Sequence, residues 1–245
     1  MSDGEALPGG YVRQVTRVGA TVRRTPAPHS AYVHELLALF ERRGWRGAPR
    51  FLGVDDLGRE VLDHLPGRAA LAPGEQRSAR TDPALTQVAA LVREFHDITA
   101  DSGLAAGHEV VCHNDLDPRN TVYATEAGEW RPTGFIDWDL AAPGRRVDDV
   151  AHVCWQYLDL GPAIDDVPEA SRRLRLLCDA YGLADRTPLL PAVLSWQDRC
   201  LRGIDTAADA GDPAMRRLRD RGVVTEIRAA HAWVTRHRAE LDAAL

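Results

Sequence analysis

The chain has 245 residues, 44% of them hydrophobic and 27% charged, with a formal net charge of −6; that length buries a sizeable core in one domain or two lobes. The acidic balance argues against nucleic acid as the main partner, and no apolar run approaches the ~18–20 residues of a membrane span. Four widely spaced cysteines, Cys112, Cys154, Cys178 and Cys200, form no C-x-x-C pair, so buried free thiols are expected instead of zinc or a disulfide framework.

Residues 1–8 have neither the basic start nor the apolar core of a signal peptide, and a cytoplasmic protein is expected. Over 7–24, Gly9-Gly10 reads as a turn between short strands, with alternation at Val15, Val18, Ala20 and Val22. A helix is predicted over 30–43, with Val33, Leu36, Leu37 and Phe40 on one face, His34 at its edge and Glu35 nearly opposite, in solvent. Gly44 stops it. Two strands, 49–54 and 59–64, are joined by an Asp-Asp-Leu-Gly turn. After a polar loop to Thr81, Asp82 as N-cap and Pro83 in the first turn open a helix that carries Leu85, Val88, Leu91, Val92, Phe95 and Ile98 at 3–4 spacing to Thr99. His96 on that helix reads as a core histidine. Towards the C-terminus helices are predicted over 147–158, 168–181 with Gly182 as cap, 188–204 and 213–241 after the cap Asp212. Asp159, Asp165, Asp166 and Glu169 cluster around a helix start, where they either complement the helix dipole or receive an amine. No internal repeat or low-complexity segment is present.

Residues 110–139, VVCHNDLDPRNTVYATEAGEWRPTGFIDWD, organise the rest. His113, Asp115 and Asn120 fit the pattern H-x-D-x-x-x-x-N of a kinase catalytic loop, and Asp137 ends the apolar run that follows. Phosphoryl transfer needs a carboxylate to orient the acceptor hydroxyl and a few oxygen ligands for Mg²⁺. Asp115, Asn120 and Asp137 supply that set. Asn-Asp and Asp-Pro are also ordinary turn formers, but the only two asparagines of the chain, Asn114 and Asn120, both fall in this stretch.

CHNDLDPRN, then FIDWD, then Asp149 in VDDVAHVCW resembles the aminoglycoside phosphotransferase and choline kinase group, small-molecule kinases with a protein-kinase-like fold. The resemblance implies an α+β, two-lobed fold: a small N-terminal antiparallel sheet lobe with one helix, over 1–65, and a larger, mainly helical C-terminal lobe over 66–245. It implies Asp115 as catalytic base, His113 as brace of the loop, Asn120 and Asp137 as Mg²⁺ ligands and Asp149 as an anchor, with Asp139 a further acid of the group two residues after the metal Asp. Asp117 stands where the group usually carries His. The nucleotide, ATP or GTP, would be covered by the Gly10 turn and would meet the backbone of Asp63, His64 and Leu65. All 30 basic side chains are arginine, so the usual strand lysine is missing; aligning residues 20–23 with the V-A-I-K strand puts Arg23 in its place and leaves Arg24 on the other face.

Only about ten residues separate Asp137 from the next helix, too few for a protein-kinase activation segment, and no A-P-E motif is present. The expected acceptor is therefore a small molecule, for a monomer or weak dimer with no nucleic-acid or membrane partner. The alternative is a non-catalytic nucleotide-binding pseudokinase or a self-immunity protein, since CHNDL…FIDWDLAAPG in a short, lysine-free chain also resembles trifolitoxin-immunity-type relatives of the group.

Overall fold

The computed structural model describes residues 4–7 and 15–245. It divides into two compact units, Met1–Arg145 and Arg146–Leu245. The expected boundary near residue 65 falls inside the first of them.

In the first unit, strands β1 (Glu5–Ala6), β2 (Val15–Val18), β3 (Thr21–Arg24), β4 (Phe51–Val54) and β5 (Glu60–Asp63) form one antiparallel sheet in the order β1-β2-β3-β5-β4. Between β3 and β4 lies helix α1 (Ser30–Arg42), which buries Val33, Leu36, Leu37, Leu39 and Phe40 along one stripe, as its 3.6-residue period dictates. Glu35 is exposed, as the helical wheel requires. A short strand β6 (Arg68–Ala69) and helix α2 (Pro73–Ala79) occupy what read as a polar loop; seven residues with two charges carry too little apolar pattern to announce a helix.

Helix α3 (Asp82–Ala100) buries Leu85, Val88, Val92, Phe95 and His96. Its cap residue is Thr81, so Asp82 is the first helical residue instead of the N-cap. Strand β7 (Val110–Cys112) is wholly buried; its Val111 N–H donates to Thr99 Oγ1 at the end of α3 at 3.1 Å. Strands β8 (Thr121–Glu126) and β9 (Glu129–Phe135) form the expected hairpin, with β6 on its flank. Strand β10 (Ala142–Gly144) pairs with β7.

The second unit is helical: α4 (Arg146–Leu158), α5 (Val167–Tyr181), α6 (Leu189–Asp209), α7 (Pro213–Asp220) and α8 (Val223–Ala243). α6 is its spine, packing on α4, α7 and α8, and Trp196 Nε1 donates to the Asp148 carbonyl at 2.7 Å. The long helix predicted after Asp212 is two helices. Gly222, at φ 87°, takes the left-handed conformation that only glycine adopts at little cost and starts α8 afresh. Asp212 caps α7 by accepting from the N–H groups of Ala214 and Met215. Asp166 does the same for α5 through Glu169, and Glu169 pairs with Arg172 at 2.7 Å, so these two acids serve the helix. Cys112, Cys154 and Cys178 are buried free thiols, whereas Cys200 is half-buried. Among the described residues no helix is long and apolar enough to cross a membrane.

Candidate active site

The loop after β7 is wound by its own polar groups. Asn114 adopts φ 65°, and its amide donates to the Leu140 carbonyl at 2.8 Å. His113 is fully buried. Its Nδ1 accepts from the Asp115 N–H at 3.3 Å, which requires the ring proton on Nε2, and that nitrogen meets the Ile136 carbonyl at 3.1 Å. A neutral imidazole thus joins the loop to the residue before Asp137.

Asn120 holds Asp115 from the other side. Its amide nitrogen donates to the Asp115 carbonyl at 2.9 Å and to Asp115 Oδ2 at 2.8 Å, and its own carbonyl accepts from the Ile136 N–H at 2.9 Å. With the nitrogen committed, the amide oxygen is the end left to meet a cation. Burial pushes the Asp115 carboxyl up to about 7, and the negative charges of Asp117 and Asp137 add to the rise. A carboxyl with that affinity for a proton can exchange it near neutral pH.

Asp117 is spent within the loop. Its carboxylate accepts from the Asn120 N–H at 3.1 Å, from the Arg119 N–H and from Arg119 Nε at 2.8 Å. It is an Asx turn locked by an arginine.

Asp137 stands at φ 63°, ψ 60°, a conformation that costs a non-glycine residue on the order of 1 kcal/mol and is kept where the surroundings over-determine it. The surroundings here are Trp138, 2% exposed, whose ring lies against Phe40, Phe95 and His113 at centroid distances of 5.0, 5.1 and 4.4 Å. Trp138 Nε1 also donates to the Phe135 carbonyl at 3.0 Å. Pinning Trp138 inward turns Asp137 outward, its side chain 53% exposed.

The arginine that reaches these acids is Arg24. It is buried, with Nε 2.6 Å from Glu60 Oε2, Nη2 2.8 Å from Asp139 Oδ1 and Nη1 3.7 Å from Asp137 Oδ1; the Asp139 pair is close but lies off the hydrogen-bonding direction. Arg23, expected in that place, turns the other way and bonds Thr21 Oγ1 at 2.6 Å and pairs with Asp55 at 3.6 Å. The cause is a one-residue register error, which flips every side chain of a strand: Arg24 stands opposite Glu60 and Val22 opposite Leu62, on the face where Glu60 and Leu62 are buried. A signal for this was present in β5, since an acid in phase with a buried leucine calls for a cationic partner.

Elsewhere the expectations divide. Asp63 and His64 already donate their N–H groups, to the carbonyls of Arg50 and Ala20, each at 3.0 Å, so neither N–H can meet a nucleotide base; Leu65 is half-buried just beyond them. Gly10 lies outside the described residues. Asp149 is fully buried on α4, in the second unit. Glu60 and Trp138 were missed as parts of the site.

Comparison with known proteins places the fold and the family. A solved GDP complex of aminoglycoside 2′-phosphotransferase-IIIa superposes with a TM-score of 0.64 at 12% identity, covering 95% of this chain and 93% of that one. An ethanolamine kinase of Plasmodium vivax gives 0.58 at 13% identity, covering 78% and 72%. Both likenesses show the fold, the α+β fold of protein-kinase-like phosphotransferases. In sequence, the trifolitoxin immunity protein of Rhizobium leguminosarum bv. trifolii is 32% identical over 209 residues, 75% of this chain and 76% of that protein. Residues 3–187 match the model of the phosphotransferase enzyme family, and that match, spanning the H-x-D-x-x-x-x-N loop and Asp137, shows that the chain belongs to this family.

Proposed function

We propose that the protein transfers the γ-phosphoryl group of ATP or GTP to a hydroxyl of a small molecule. The observation that carries this reading is the fixing of Asp115 by Asn120 in a loop bonded directly to the residue before Asp137. In the transfer the acceptor oxygen bonds to the γ-phosphorus, the bond to the β-phosphate oxygen breaks, and Asp115 takes the hydroxyl proton. His113 keeps the loop against Ile136. The Asp137 carboxylate and the Asn120 amide oxygen would hold Mg²⁺, and the donor set fits it: both are hard oxygen ligands, and one guanidinium, Arg24, faces three carboxylates, leaving local negative charge for a divalent cation. When bound, the ion neutralises charge on the phosphates.

Support for a nucleotide comes from the structural relatives solved with GDP, and support for a small acceptor from one solved with kanamycin as well. The test is a thermal-shift and turnover screen of ATP and GTP with magnesium against amine-bearing alcohols, antibiotics and metabolites. A magnesium-dependent shift that Asp137→Ala abolishes, with phosphate transferred to at least one acceptor, is expected. No shift with either nucleotide would sink the reading.

A second reading has its own observation, the 32% identity to a protein named for immunity: a nucleotide-binding protein that protects its host without turnover. Magnesium-dependent nucleotide binding with no acceptor phosphorylated across the screen is its expected result.

A further inference from the structure

We propose that Arg24, whose Nη end lies beside Asp137, binds the nucleotide phosphates and that Glu60 is its positioning residue, so that this chain builds its phosphate clamp on two neighbouring strands instead of between a strand and a helix. The inference rests on the nucleotide reading above and adds to it the residue that orients Arg24.

Glu60 is 0% exposed. A carboxylate taken wholly out of water is costly unless every lone pair finds a donor, and here the two oxygens are divided between partners: Oε2 lies 2.6 Å from Arg24 Nε, and Oε1 lies 2.7 Å from His34 Nε2. Burial pushes the Glu60 carboxyl up, but the Ser30 hydroxyl, Arg24 and His34 together hold it below its ordinary range. Such a pair contributes little net stability compared with packed apolar side chains. Its effect is geometric, because Arg24 and Glu60 are directly opposed across β3 and β5, and the bond to Nε fixes the stem of the arginine while the Nη end extends to Asp137 and Asp139.

The helix next to the sheet supplies no carboxylate. Its two acids, Glu35 and Glu41, are both exposed, and Glu41 lies towards Arg50; what α1 gives is His34 and Ser30, both directed at Glu60. The acid that steadies the phosphate-binding cation is therefore carried by the ladder itself, and a displacement of α1 would loosen His34 while leaving the Arg24–Glu60 pair in register.

The test measures calorimetric affinity for MgATP or MgGTP, whichever the parent binds, beside the matching nucleoside, for Arg24→Ala, Glu60→Gln and the double variant, each checked for folding by its melting curve. Arg24→Ala should weaken the triphosphate about 10–100-fold, the worth of charge-assisted hydrogen bonds, and leave the nucleoside unchanged. Glu60→Gln should show the same selective loss, and should add nothing further in the Arg24→Ala background. If Glu60→Gln does not fold, Glu60→Asp, which keeps the charge and withdraws it by one methylene, should give a smaller loss of the same selectivity. Additive losses in the double variant, or equal losses for nucleoside and triphosphate, would overturn the assignment while leaving nucleotide binding intact. A parent that binds neither triphosphate removes the nucleotide reading itself, and this inference with it.

Discussion

The amide nitrogen of Asn120 donates to Asp115 Oδ2 at 2.8 Å, so the group expected to hold metal also aims the group expected to take the proton. Changing one partner should therefore separate from changing the other. Asp115→Asn keeps the shape and both metal ligands, and should lower kcat by about 10²–10⁴-fold with nucleotide Kd little changed. Asn120→Ala should damage both quantities. Near-parental turnover of Asp115→Asn with a working acceptor would remove Asp115 from the base role; Asp117, locked to Arg119, would be a poor successor.

The same carboxyl makes a prediction about stability. With a folded pKa of about 7 against about 3.9 in an unfolded chain, the folded state retains a proton that the unfolded state has lost. Stability should then fall as pH rises from about 4 to about 7 and level off above. Asp115→Asn removes that fall. Measured without nucleotide or magnesium, its Tm should exceed the parent's by more at pH 8 than at pH 5; a difference independent of pH would contradict the assigned environment.

Trp138 should matter beyond its size. Trp138→Ala is expected to cost about 3–5 kcal/mol, as buried aromatic truncations do. The milder Trp138→Phe loses the bond to the Phe135 carbonyl, about 1 kcal/mol, and should also weaken the magnesium-dependent shift given by nucleotide, because Asp137 is held outward by its neighbour. An unaltered shift in a folded Trp138→Phe would separate the tryptophan from the site.

Two glycines should respond with opposite sign. A Cβ on Gly134 would stand 2.7 Å from the Gly47 carbonyl oxygen, where β9 is tied to the loop before β4 by the Phe135 N–H donating to that same oxygen. Gly134→Ala should destabilise by about 1–3 kcal/mol. Gly203, inside α6, meets nothing within 4 Å, and Gly203→Ala should stabilise by about 0.5–1 kcal/mol. Urea titrations of both variants against the parent decide the pair.

Much of this was legible because the signals were local. The asparagines and acids of residues 113–137 carry their spacing in sequence, and the helices α1 and α3 carry theirs in apolar period, so loop, hairpin and scaffold fell where expected. What escaped depended on pairing across distance. Which of Arg23 and Arg24 faces Asp137 is set by the register of β3 on β5, 36 residues away, and two adjacent arginines in a four-residue strand offer no alternation to choose between them. Glu60 depended on the same pairing: in phase with Leu62 it called for a cationic partner, but only the ladder of β5 on β3 shows that the partner is Arg24. Gly222 is different, since a lone glycine in a helical pattern marks either a tolerated residue or a break, and the φ of 87° is what decides.

The arginine beside Asp137 also sets which chemical probes can report on this protein. Acylating nucleotide analogues transfer their tag to a side-chain amine near the phosphates, and this chain has none, all of its 30 basic side chains being guanidinium groups. Guanidinium stays protonated across the working range of such reagents and is a poor nucleophile towards them. Activity-based profiling aimed at lysine would therefore pass over this chain even where nucleotide is bound, whereas a dicarbonyl reagent selective for arginine, read by peptide mapping at Arg24 with MgATP or MgGTP as protectant, would separate the site from the other arginines.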